Sequence, residues 1–109
     1  MTNSERYRIE AKARILKALA HPTRLFIIEK LNLQDYCVCE LTELVGADTS
    51  TVSKHLSILK HAGLVESRKD GTMVHYSLAD ECIVKCVACI GEIAHRQLER
   101  QVACLTENA

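Results

Sequence analysis

The sequence predicts a mainly α-helical fold with a β-hairpin wing. This is a winged helix-turn-helix: four helices, a two-stranded wing and a fifth helix. Three stretches predict it. In Ser50 to Gly63, STVSKHLSILKHAG, Val52, Leu56 and Leu59 fall at i, i+4 and i+7 and form an apolar stripe. Ser50, Ser53, Lys54, Ser57 and His61 fall on the opposite face, with no acid among them. Next, LVESRK and MVHYSL alternate apolar and polar residues around Asp70-Gly71, a dipeptide that favours a type I′ hairpin turn. Last, a long periodic segment follows from Ala79 to about Leu105. Short hydroxyl donors and cations on a helix suit phosphates and base edges, so the expected partner is duplex DNA.

The elements follow in order. A first helix begins near Ser4 and runs to about Ala20, with Ile9, Ala13, Leu16 and Ala20 on one apolar stripe. Pro22 cannot continue that helix but suits the first turn of a second, which runs to about Leu33 and buries Leu25, Ile28 and Leu31. Asn32 to Tyr36 is a short connection, and Cys37 to Val45 a third helix. Gly46-Ala47-Asp48 turns the chain into the recognition helix, with Asp48 or Thr49 as N-cap and Gly63 as its stop. The helix-turn-helix thus spans 38–63 and the wing 64–78, inside a single domain covering 1–109. Asp80 is a candidate cap for the final helix.

At 109 residues, 48% hydrophobic and 26% charged, the chain has room for one small core. No stretch approaches the ~18 apolar residues of a membrane span. The charged start MTNSERYRIEAKAR lacks the apolar run of a signal peptide, so a cytoplasmic protein is expected. In that compartment six cysteines read as thiols. A net charge of zero counts mildly against nucleic acid, but the charge is segregated. Residues 1–30 carry seven Lys/Arg against three acids, and residues 50–76 carry four against two with three histidines besides. Compensating acids cluster at Asp35, Glu40, Glu43 and Asp48 and towards the C-terminal end.

This order of elements, with HPTRLFII (21–28), CVCEL (37–41), STVSKHLSILKHAGLV (50–65) and KDGTMVHYSL (69–78), resembles the ArsR/SmtB family of metal-sensing repressors over nearly the whole chain. The resemblance implies a homodimer through the first and last helices. It implies an operator held by two recognition helices, and release of that DNA when an inducer binds. It also places Cys37-Val38-Cys39 at the family's arsenite or cadmium/lead position.

The first turns of a recognition helix enter the groove, which makes Ser50, Thr51, Ser53, Lys54, His55 and Ser57 the candidate DNA contacts. His55 also lies beside Val52 and Leu59, and packing on the core edge is its other reading. Arg68 and Lys69 would reach phosphates or the minor groove from the wing. Thr23 and Arg24 would brace the backbone at a helix start. A merely solvated polar face is the competing reading of all these residues.

In a regular helix Cys37 and Cys39 would point about 160° apart and could not share an ion. They converge only where the chain is extended, so binding should distort the first turn of the helix that supports the recognition helix. A helix N-terminus should also favour thiolate. Soft thiolates select thiophilic ions such as arsenite, cadmium, lead or zinc; the resemblance puts arsenite first and cadmium or lead second, and no permanent cofactor is expected. The competing reading is two small buried residues. Two departures from the family pattern stand out: Thr42 occupies the place of a third cysteine, and residues 1–36 contain none. Cys82, Cys86 and Cys89 lie at i, i+4 and i+7 of the last helix, either as a second or supplementary thiol site or as packing continuous with Ile93. Cys104 adds a further thiol. The family's zinc-site pattern is matched by Asp80 but not by Cys82, Ile93 or Arg96, and His95 is displaced by two residues.

The expected function is repression of resistance or efflux genes, relieved by a thiophilic metal or metalloid; a cysteine redox switch of the same fold and a protein-binding winged helix are the alternatives. An enzyme is not expected, because no nucleophile–base set or phosphate-cradling glycine loop is present.

Overall fold

A computed structural model describes residues 1–107. Helix α1 spans Asn3–Leu19 and is capped by Thr2, whose hydroxyl accepts the Glu5 N–H at 3.1 Å while the Glu5 carboxylate accepts the Thr2 N–H at 3.3 Å. Helix α2, Pro22–Leu33, starts at the proline, with His21 as cap. Strand β1 is the two residues Tyr36–Cys37, followed at once by α3, Val38–Val45. Gly46 closes α3 at φ +78°, a conformation that a side chain would strain. Helix α4, Thr49–His61, is capped by Asp48, which accepts the Thr51 N–H at 2.8 Å. Strands β2, Val65–Asp70, and β3, Met73–Leu78, form the wing, and α5 runs over Cys82–Glu107. Asp80 accepts the Cys82 N–H at 2.8 Å as the last helix begins.

The winged helix-turn-helix expectation holds, with three corrections of detail. The sheet has three strands in the order β1-β3-β2, all antiparallel; the Asn32–Tyr36 connection ends in a strand that pairs Tyr36 with Tyr76 and Cys37 with His75. Cys37 is therefore extended, at φ −82° and ψ 164°, and α3 starts one residue later than expected. The hairpin also turns differently. Asp70 pairs with Met73, leaving Gly71-Thr72 as the loop, and only Gly71 has positive φ, at +64°. That is the pattern of a type II′ turn rather than type I′.

The core lies between α2, α3, α4 and the sheet. Ile27, Leu41, Val52, Leu56 and Leu59 have no exposed surface, so the stripe expected on the recognition helix is all core. On α2, Ile28 and Leu31 are buried as expected, whereas Leu25 is only partly buried against the cluster and Ile27 takes a central place. The stripe expected on α1 is not core. Ile9 and Leu16 are about half exposed, and α1 instead buries Ala18 and Leu19 at its end. Helix α5 buries Ile83 and rests Val87 on the core, then leaves Ile90, Ile93, Leu98, Val102 and Leu105 open. The radius of gyration is 17.1 Å, against about 13 Å for a close-packed chain of this length, because the two terminal helices project. Among the described residues, no helix is long and apolar enough to cross a membrane.

Candidate nucleic-acid interface and thiol sites

With Val52, Leu56 and Leu59 fixed inward, α4 must turn its other face out. Ser50, Thr51, Ser53, Lys54 and Ser57 are all exposed there. Asp48, at the head of the helix, has its pKa lowered by hydrogen bonds from Thr51, and the Ser50 hydroxyl donates to it at 3.3 Å. Lys60 reaches across to donate to the Ser67 hydroxyl at 2.6 Å, tying α4 to β2. Arg68 and Lys69 are exposed on that strand. Helix face and wing each present donors and cations to solvent.

His55 does not belong to that set. It is half-buried on the side of α4 turned to the start of α2, with its ring 4.4 Å from the His21 ring. The Arg24 guanidinium donates to its Nδ1 at 3.2 Å. Burial lowers the His55 pKa, and the charges of His21 and Arg24 lower it further. Packed on His21 and held by Arg24, His55 fits the core-edge reading better than a phosphate contact. Arg24 is engaged in the same cluster and also donates to the Ala18 and Lys17 carbonyls at the end of α1. Thr23 has its N–H capped by His21 Nδ1 at 3.1 Å.

Two further cations belong to this surface without a motif to mark them. Arg14 and Lys17 of α1 border a cavity of about 520 Å³ beside Ser57 and His61 on α4. The basic excess of residues 1–30 is their only signal in the sequence, since nothing in the local pattern tells which cations will face α4.

Cys37 is 2% exposed, whereas Cys39, in the first turn of α3, is exposed. Because Cys37 sits before the helix in extended backbone, the two residues are not held on opposite sides of one regular turn, and the expected helix distortion is not needed to separate Cys37 from α3. The Cys37 N–H donates to the Glu40 carboxylate at 3.0 Å. Thiolate is not favoured at Cys37, contrary to expectation. The Glu40 amide lowers its pKa, but the Glu40 carboxylate, burial and Cys39 raise it, and the net shift is upward. The carboxylate that closes the cap offsets the helix terminus. Thr42, in the place of a third cysteine, donates its hydroxyl to the Val38 carbonyl at 2.7 Å.

Cys82, Cys86 and Cys89 are exposed on α5, carry free thiols, and line up as their spacing predicts. Cys82 and Cys86 border a cavity of about 270 Å³ with Ile15, Leu16 and Leu19 of α1. The Cys82 thiol pKa is raised, chiefly by its hydrogen bond with Asp80. His95 pairs with Glu99 at 3.0 Å, and Cys104 is exposed. Among the described residues, no three His, Cys, Asp or Glu side chains are already gathered to hold a metal ion. The donors at the β1–α3 junction fit a thiophilic ion in kind, with two thiols in adjacent turns of chain, but not the three thiolates of trigonal arsenite.

Known proteins resemble the chain at these elements. Residues 21–67, from the start of α2 into β2, match the family described as "Bacterial regulatory protein, arsR family". A cadmium resistance transcriptional regulatory protein CadC homolog of Staphylococcus aureus is 40% identical over 76 residues, covering 69% of this chain. The chain spans 63% of that relative's length. The HTH-type transcriptional regulator Rv0081 of Mycobacterium tuberculosis is 38% identical over 97 residues, 88% of this chain and 85% of its own. Its crystal structure superposes with a TM-score of 0.78 over 86% of this chain and 95% of the other. The homodimeric winged helix-turn-helix DNA-binding domain Mb0332 of Mycobacterium bovis gives 0.82 at 31% identity, over 92% and 93% of the two chains. A core-anchored reading helix, a wing and relatives named as transcriptional regulators agree: the chain is a DNA-binding regulatory protein of the arsR family.

Proposed function

We propose that the chain is a homodimeric repressor that holds double-stranded operator DNA and releases it when a thiophilic ion binds at Cys37 and Cys39. The observation that carries the DNA half is the acid-free outer face of α4, set by three fully buried residues behind it. The dimer rests on the apolar faces that α1 and α5 leave open, and on the likeness to the Mycobacterium bovis domain, which is homodimeric. Action on DNA implies a cytoplasmic location.

The ion-responsive half rests on position. Cys37 and Cys39 flank the start of α3, and α3 packs beside α4, so an ion bound there acts on the element that supports the reading helix. The ion favours whichever arrangement it binds better, and DNA affinity falls if that arrangement misplaces α4. Cadmium or lead moves ahead of arsenite here. Two thiols are one short of a trigonal arsenite site, and one relative is named for cadmium resistance. Cys82, Cys86 and Cys89 are the second candidate, since they open towards α1 at the expected dimer surface.

The test is fluorescence anisotropy of the reduced protein on its own upstream DNA, titrated with cadmium, lead, zinc and arsenite. A Cys37→Ser/Cys39→Ser variant runs beside the wild type. Release of the wild type alone supports the junction as sensor. Release of both moves the sensor to α5. Release by peroxide and by no ion replaces metal sensing with a thiol redox switch.

A further inference from the structure

The junction is one donor short, and β3 supplies the candidate. Cys37 and His75 are directly opposed in the antiparallel β1–β3 pairing. Opposed residues share a face of the sheet, with Cβ atoms about 4.5–5.5 Å apart. Cys37 is buried where β1, paired with β3, runs into the start of α3. His75 is half-buried. The Glu40 carboxylate accepts the Cys37 N–H at 3.0 Å, which brings an oxygen donor to the same junction.

We propose that the His75 imidazole is the third ligand, with the Cys37 and Cys39 thiolates, of a divalent thiophilic ion such as cadmium(II) or zinc(II), whose fourth position is taken by Glu40 or water. This rests on the reading of Cys37 and Cys39 as the sensor. Binding converts two thiols and a neutral imidazole into ligands and releases two protons to solvent. Two sulfurs and a nitrogen suit cadmium and zinc, and they do not suit arsenite. The donors are not gathered beforehand, so the exposed Cys39 and the half-buried His75 must turn towards Cys37.

The third ligand also gives the ion a direct hold on the DNA-reading surface. His75 pairs with Cys37 on one side and with Arg68 of β2 on the other, so Cys37, His75 and Arg68 form one row across the sheet. An ion that draws His75 towards α3 shifts the strand on which the wing cation depends.

The test titrates the reduced full chain with cadmium chloride. It follows the thiolate-to-cadmium charge-transfer absorption and, separately, the ring-nitrogen resonance of His75. The wild type should gain the band and move the His75 resonance. His75→Ala and His75→Asn should keep a two-thiolate band but bind cadmium about tenfold or more weakly. Their melting temperatures should stay near wild type. Cys37→Ser/Cys39→Ser should lose the band. If the His75 resonance is unmoved and both His75 variants bind as tightly as wild type, the imidazole is not a ligand, while the cysteine reading stands. If the double cysteine variant keeps the band, the ion sits elsewhere and both readings fall. The wild-type resonance settles the matter without relying on any variant's folding.

Discussion

Helices α4 and α5 both carry an apolar stripe at helical spacing, yet the stripes end in opposite places. On α4, Val52, Leu56 and Leu59 are fully buried. On α5, twice as long, Ile83 alone among the described residues is buried, and Ile90, Ile93, Leu98, Val102 and Leu105 face outward. The difference is what the rest of the chain brings to each. Helix α4 is boxed in by α2, α3 and β2, whereas α5 leaves the body after its first turns. The same pattern means core where the chain folds back over it, and a surface for another molecule where it does not.

Matched substitutions in the two stripes should therefore fail in different ways. Leu56→Ala should destabilise the fold by about 2–5 kcal/mol, read as a lower midpoint of denaturant unfolding. Ile93→Ala should leave the unfolding of the isolated chain nearly unchanged. It should instead weaken self-association by about tenfold, measured by sedimentation at falling concentration. If both variants shift only unfolding, α5 is not an interface. On the outer face of α4, Lys54→Glu should weaken DNA binding severalfold and flatten its salt dependence by roughly one phosphate contact. An unchanged salt slope would remove Lys54 from the interface.

The smallest effect concerns the inner edge of α4. Folding lowers the His55 pKa, first through burial and then through the neighbouring positive charges, so the folded state favours the neutral ring. That stabilisation is complete above the ordinary histidine pKa of about 6.5 and is lost as pH falls below it. His55→Asn, which keeps an acceptor for Arg24, should make stability less dependent on pH between about 7 and 5. A variant as pH-sensitive as the wild type would assign the slope to another group.

Long periodic elements were legible in the sequence because each repeats its pattern several times. Val52, Leu56 and Leu59 announce an apolar face without any tertiary information, though not that the chain folds back over it. Strand β1 was not legible, since two residues cannot show an alternation, and its existence depends on β3 lying beside it. The start of α3 was misplaced for a related reason: cysteine is not among the preferred N-cap residues, so Cys37 gave no local sign of standing outside the helix. The outward serines and Lys54 followed from spacing, but His55 did not. Its direction is decided by His21 and Arg24, more than thirty residues earlier, and no window on α4 contains them. The pairing of Cys37 with His75 was hidden in the same way.

Arg24 reaches further than its place at the start of α2 suggests. Its guanidinium holds the last carbonyls of α1 and, through His55, the middle of α4. In the proposed dimer α1 is part of the interface, so the angle between α1 and α4 would bear on how far apart the two reading helices stand. Operators of such dimers place their half-sites about 34–36 Å apart, one turn of the duplex, or multiples of that. One buried-edge arginine that never touches a base would thus act as a ruler, calibrating which half-site spacing the protein accepts.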